Sequence, residues 1–187
     1  MVAHSFQWIQ GALGIITALG MTRLIISVVH MHLARRKVLL DWVPFVWALN
    51  IFFLLLQFSW VFVALEPLVE KWTFGLFLML LGFVLTLFVA AALVLPNTDG
   101  QAGSSLQLWF EQDGRWALPF LAFYAFLAYP FNWYLGGETP DKNPASAMLI
   151  AMALIAFFTK SRKILVTVTM LDLLLTGGIV LEMVLIS

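Results

Sequence analysis

DWVPFVWALNIFFLLLQFSWVFVALE, residues 41–66, carries no charged residue between Asp41 and Glu66. A helix rising ~1.5 Å per residue over that run crosses the ~30 Å of hydrocarbon in a bilayer. Asp41 stands where an N-cap belongs, so the run reads as a helix over about 42–65 with a defined start. The rest of the 187-residue chain resembles it: 63% of residues are hydrophobic and 11% charged. A soluble domain is nearer half apolar and a quarter charged, so a bilayer must cover this surface.

Five further runs follow the same logic, over about 6–33, 72–95, 116–135, 144–159 and 163–186. The first ends at HLARRK, the third at Pro96 and NTDG, and the fourth at Gly136-Gly137. The run at about 144–159 is short and spans only if Lys160 snorkels. No basic segment or small-residue cleavage site flanks the first run, which therefore reads as a retained helix rather than a signal peptide. The expectation is an all-α, polytopic transmembrane helix bundle of six spans, one domain over 1–187.

Charge sets the orientation. Arg35, Arg36, Lys37, Arg115, Lys160, Arg162 and Lys163 fall on one side, and only Lys71 and Lys142 on the other. Positive residues stay inside, so both termini are expected outside. The outer loops are acidic, with Glu66, Glu70, Glu138 and Asp141. Trp8, Trp42, Trp72, Trp116 and Trp133 lie near span ends, where amphipathic rings settle. The inner loop over about 96–115 contains SSLQLWFEQ, which reads as a short interfacial helix. Ser104 and Gln107 have capping-box spacing, and Leu106, Trp109 and Phe110 could dip into lipid.

A charge inside a span needs an offset of ~2.5–3.5 kcal/mol or more. Arg23 lies ~16 Å from the inner end of its helix, and Asp172 ~13 Å from the same side. The matched depths predict an Arg23–Asp172 ion pair between the first and last helices. Thr17, Gly20, Arg23, Ser27 and His30 form one helical stripe, and Thr169, Asp172 and Thr176 another. Asn50 and Gln57 share a face that also includes Trp47 and Leu54. Together these residues predict a polar seam inside the bundle, either a clamp between helices or a path for a solute or proton. Tyr129 and Asn132 flank Pro130, which predicts a kinked helix, and Gly177-Gly178 predicts close helix packing.

Other chemistries find little support. Zero net charge argues against nucleic acid. With no cysteine there is no thiolate site or disulfide, and His30 and His32 read as headgroup contacts rather than metal or haem ligands. No cofactor is expected. The chain has no P-loop, nucleophile elbow or zinc-helix motif, which argues against an enzyme.

HLARRKVLLDWVPFVWALNIFFLLLQFSWVFV, WTFGLFLMLLGFVLTLFVAAALVLP and WFEQDGRW resemble an uncharacterised family of small bacterial integral membrane proteins. The resemblance covers roughly residues 12 to 120 and fades in the last two helices. It places Trp42, Trp47, Gln57, Trp60, Glu111, Arg115 and Trp116 at the family's positions. It implies a bacterial inner membrane and a multi-helix fold, and no activity.

The leading functional expectation is a small transporter or channel-like protein, acting as a homo-oligomer in the lipid bilayer, with an acidic outer mouth that favours cations. The alternative is a non-transporting subunit or sensor. Its loop residues Trp109, Glu111, Asp113 and Arg115 would hold a cytoplasmic protein partner or anionic lipid. A membrane enzyme acting on lipids is a weaker third reading with no nameable catalytic set.

Overall fold

Each long apolar run is helical in the computed structural model, which describes residues 2–66, 69, 72–97, 105–136 and 144–186. The elements are α1 (Val2–Ala34), α2 (Trp42–Ala64), α3 (Phe74–Leu93), α4 (Leu106–Gln112), a 3-10 turn (Gly114–Trp116), α5 (Ala117–Gly136), α6 (Pro144–Phe158) and α7 (Arg162–Ile186). The fold is all-α, and no strand occurs among the described residues. One isolated β-bridge joins Leu39 to Ser105, with the Leu106 amide donating to the Leu39 carbonyl at 3.0 Å. Asp41 caps α2 as expected, accepting from the Val43 amide at 3.5 Å. Thr73 caps α3 by accepting from the Leu76 amide at 3.2 Å. The N-cap of α4 is Ser105, without a side-chain cap bond, and Gln107, expected in a capping box, donates to Glu111 at 3.0 Å. Ser104 itself, together with Glu70, Lys71, Glu138, Asp141 and Lys142, lies outside the described residues.

Among the described residues, four helices have both the length and the apolarity to cross a membrane: Phe6–Ala34, Trp42–Val63, Phe74–Leu93 and Arg162–Leu185. The apolar α6 has only 15 residues. The 20 residues of α5 are diluted by Tyr124, Tyr129, Asn132 and Tyr134 and carry Pro130 inside the helix.

Burial runs inside-out relative to a soluble bundle. On α1 the buried stripe is Phe6, Leu13, Thr17, Gly20, Leu24, Ser27 and Met31, at steps of three, four and seven. Its exposed faces are as apolar as its buried one, with Ile15, Leu19, Ile25, Ile26, Val29 and Leu33 outward. The same holds for α7, which buries Thr169, Asp172 and Thr176 while exposing Met170, Leu171, Leu174 and Leu181. Water would penalise that arrangement by ~25 cal/mol for each Å² of apolar surface, whereas lipid does not. This is a membrane-embedded protein.

Neighbouring helices touch in the cyclic order α2, α3, α5, α6, α7 and back to α2. These five enclose the interior. Helix α1 lies outside the ring, in the groove between α2 and α3. Gly20 permits that seat, because a Cβ there would stand 3.3 Å from Leu55 Cδ1 and 3.8 Å from the Phe88 ring. Gly177 and Gly178, expected at a close helix contact, instead face open space, with nothing within 4 Å of a Cβ at either position.

One further expectation is corrected. The apolar face of α4 turns inward: Leu106 and Phe110 are fully buried, and only Leu108 of its large aliphatics is exposed. The bundle offers α4 a closer-packed apolar neighbour than lipid, through its contact with α2. Trp72 packs on Phe6 and Phe62, with ring centroids 5.1 and 6.0 Å away, while Trp8, Trp42, Trp116 and Trp133 remain exposed.

Candidate functional site

The start of α2, the end of α1, the starts of α5 and α7 and the end of α6 meet at one end of the bundle. Arg162 on α7 pairs with Asp41 before α2 at 2.5 Å. Arg115 donates to the Phe157 carbonyl at 3.3 Å, at the end of α6. Arg35, Arg36, Lys37, Lys160 and Lys163 are exposed on these same segments, making this the basic end.

Arg23 belongs to this end, and it does not pair with Asp172. Its Nη2 donates to the Ala92 carbonyl at 3.1 Å and the Leu95 carbonyl at 3.2 Å, and its Nη1 donates to Ser27 Oγ. The two carbonyls lie at the end of α3, where backbone acceptors lack intrahelical partners and the helix dipole is negative. The arginine therefore closes the C-terminus of a neighbouring helix. The predicted pair fails on lateral position: α1 packs on α2 and α3, while α7 packs on α2 and α6. His30, further along the same stripe of α1, stays exposed, its Nδ1 donating to the Asn97 carbonyl at 2.8 Å. A hollow of about 330 Å³ beside Arg23 is lined by Leu95, Asn97, Trp109 and Asp113. It brings a residue of the predicted seam together with two of the predicted loop set.

The partner of Asp172 is Asn50, whose Nδ2 donates to Asp172 Oδ2 at 2.6 Å. Both side chains are buried, on α7 and α2, and no cation contacts the carboxyl group among the described residues. Trp47 lies three residues before Asn50 and Thr176 four after Asp172, each about one turn along the same helix. Trp47 Nε1, Asn50 Oδ1 and Thr176 Oγ1 are buried without a hydrogen-bond partner among the described residues. The other hydroxyls of the predicted seam are satisfied by their own helices: Thr17 donates to Leu13 O at 2.9 Å, Ser27 to Arg23 O at 2.9 Å and Thr169 to Leu165 O at 2.7 Å. The predicted seam thus divides into an α1–α3 cap around Arg23 and an α2–α7 cluster around Asp172.

A cavity of about 350 Å³ occupies the ring interior at the end opposite the basic one. All five ring helices line it and α1 does not. Phe58, Phe62, Phe83, Tyr124 and Phe131 supply aromatic walls; Gln57, Asn132, Ser146 and Glu182 supply polar groups. Gln57 Oε1 is buried there without a partner among the described residues. Tyr124 accompanies Asn132 in the wall. Ile179 of the lining is seven residues beyond Asp172, and Gln57 is seven beyond Asn50, a rise of ~10 Å on each helix. Thr176 lies between.

The loop set proposed for partner docking is largely engaged within the chain. Glu111 accepts from Gln107, Arg115 closes α6, and Trp109 packs against Gly114, where a Cβ would stand 2.5 Å from the indole. Asp113 remains exposed. Sequence reasoning missed the Asp41–Arg162 pair, the aromatic cavity and Gly114. The charges at both helix starts signalled the first. Nothing local signals the cavity, whose walls come from five separate segments.

No protein-family model matches the sequence, and comparisons with curated proteins and with solved structures found no match.

Proposed function

We propose that this chain is a small transporter or channel-like protein of a bacterial inner membrane that moves a cation or proton along the contact between α2 and α7. One observation carries the reading: Asp172 is a buried carboxyl group with no cationic partner among the described residues, hydrogen-bonded to Asn50 and flanked by unpartnered polar atoms. An acid kept deep in a membrane bundle without a counter-ion is expensive, and such groups mark ion and proton pathways. The cavity beyond Thr176 supplies an approach from the far end. Its walls come from one chain, so the reading needs no path between subunits.

The proposed arrangement has six spans with both termini outside. In its support, the short loops at the basic end gather Arg35, Arg36, Lys37, Arg115, Lys160, Arg162 and Lys163, as a cytoplasmic face requires. Ion and proton flux into proteoliposomes tests the function. The parent should pass a cation or protons, and Asp172→Asn should abolish the flux while staying folded. A parent that passes neither, or an Asp172→Asn variant with full flux, sinks the reading.

A further inference from the structure

We infer that the five-helix cavity is a binding site for a monovalent organic cation with an aromatic or bulky apolar body. This names the substrate class for the transport reading above and rests on it.

The charge of the site selects the sign. Glu182 is the one charged residue among the described residues that line the cavity. Exposed Glu66 adjoins Leu65 of the wall. Every described lysine and arginine lies toward the opposite, basic end. Among the described residues, an anion would therefore meet a carboxyl group with no compensating charge, while a cation would find a partner.

The walls select the kind of cation. Phe83 is the hub of an aromatic lining, with its ring centroid 6.3 Å from Phe58, 5.4 Å from Tyr124 and 5.3 Å from Phe131. Ring faces attract a weakly hydrated cation such as a quaternary ammonium group. A small inorganic ion would need several oxygens to replace its water shell, and these walls are mostly carbon. The volume of about 350 Å³ lies in the range of small-molecule sites. Gln57 Oε1, buried and unpartnered among the described residues of the lining, adds an acceptor for the positive end.

The test uses the purified full chain in detergent, radiolabelled benzyltrimethylammonium, and its neutral carbon isostere neopentylbenzene as competitor. Equilibrium dialysis should show saturable binding that the isostere does not displace. Glu182→Gln, at an exposed position that tolerates the change, should weaken binding about tenfold or more. Phe83→Leu should weaken it severalfold while keeping the wall apolar. Absence of saturable binding, equal competition by the isostere, or unchanged affinity in Glu182→Gln overturns the inference. Flux measured in parallel separates the two readings. Flux without binding removes this site and leaves transport standing. Charge-dependent binding without any flux does the reverse.

Discussion

Asn50 Nδ2 donates to Asp172 Oδ2 at 2.6 Å, across the contact between α2 and α7. The bond fixes which helices share the buried carboxyl group and frees Arg23 for another task. The arginine ends α3, and the acid is left to a neutral amide.

That inequality predicts an asymmetric response to mutation. Asn50→Leu leaves the Asp172 carboxyl group buried without its partner and should cost about 1–3 kcal/mol. Replacing both, Asn50→Leu with Asp172→Leu, should restore stability to near the parent. Thermal unfolding in detergent reads both. An Asn50→Leu variant as stable as the parent would show that the bond contributes nothing.

Arg23 and Asp172 should behave as independent sites. Arg23→Gln removes a charged donor from the carbonyls of Ala92 and Leu95 and should cost about 0.5–2 kcal/mol. Combined with Asp172→Asn, the two costs should add to within about 0.5 kcal/mol. A coupling energy well above that in the double-mutant cycle would reinstate the ion pair.

The glycines should divide by their surroundings. A Cβ on Gly114 would stand 2.5 Å from the Trp109 ring and 2.8 Å from the Phe110 ring, so Gly114→Ala should destabilise by about 1–3 kcal/mol. Gly178→Ala meets nothing within 4 Å and should be neutral, or stabilising by up to ~1 kcal/mol through helix propensity. Equal effects in unfolding experiments would contradict the packing around the 3-10 turn.

Topology can be read by labelling, because the chain has no cysteine of its own. Single cysteines at Lys37 and Lys163 should resist a membrane-impermeant maleimide in intact cells. A cysteine at Glu66 should react. Labelling of Lys37→Cys from outside would invert the proposed orientation.

Much of the buried polar set is legible in the amino-acid pattern. Thr17, Ser27, Asn50, Thr169, Asp172 and Thr176 occupy polar stripes at helical spacing, and all are buried. Helical periodicity assigns residues to a face, and inside a membrane the polar face turns inward. Lateral order is not legible, because hydropathy says nothing about which helix stands beside which. Arg23 and Asp172 lie on helices that flank α2 with different neighbours.

Length, apolarity and caps were enough to dictate an all-α membrane-embedded chain, because the backbone must satisfy its own hydrogen bonds in lipid. Packing alone settled the rest. It seated α1 outside a ring of five, turned α4 inward, gave Arg23 to the end of α3, and gathered aromatic rings from separated segments around one cavity. Those outcomes depend on contacts between residues far apart in the chain, and no local pattern encodes them.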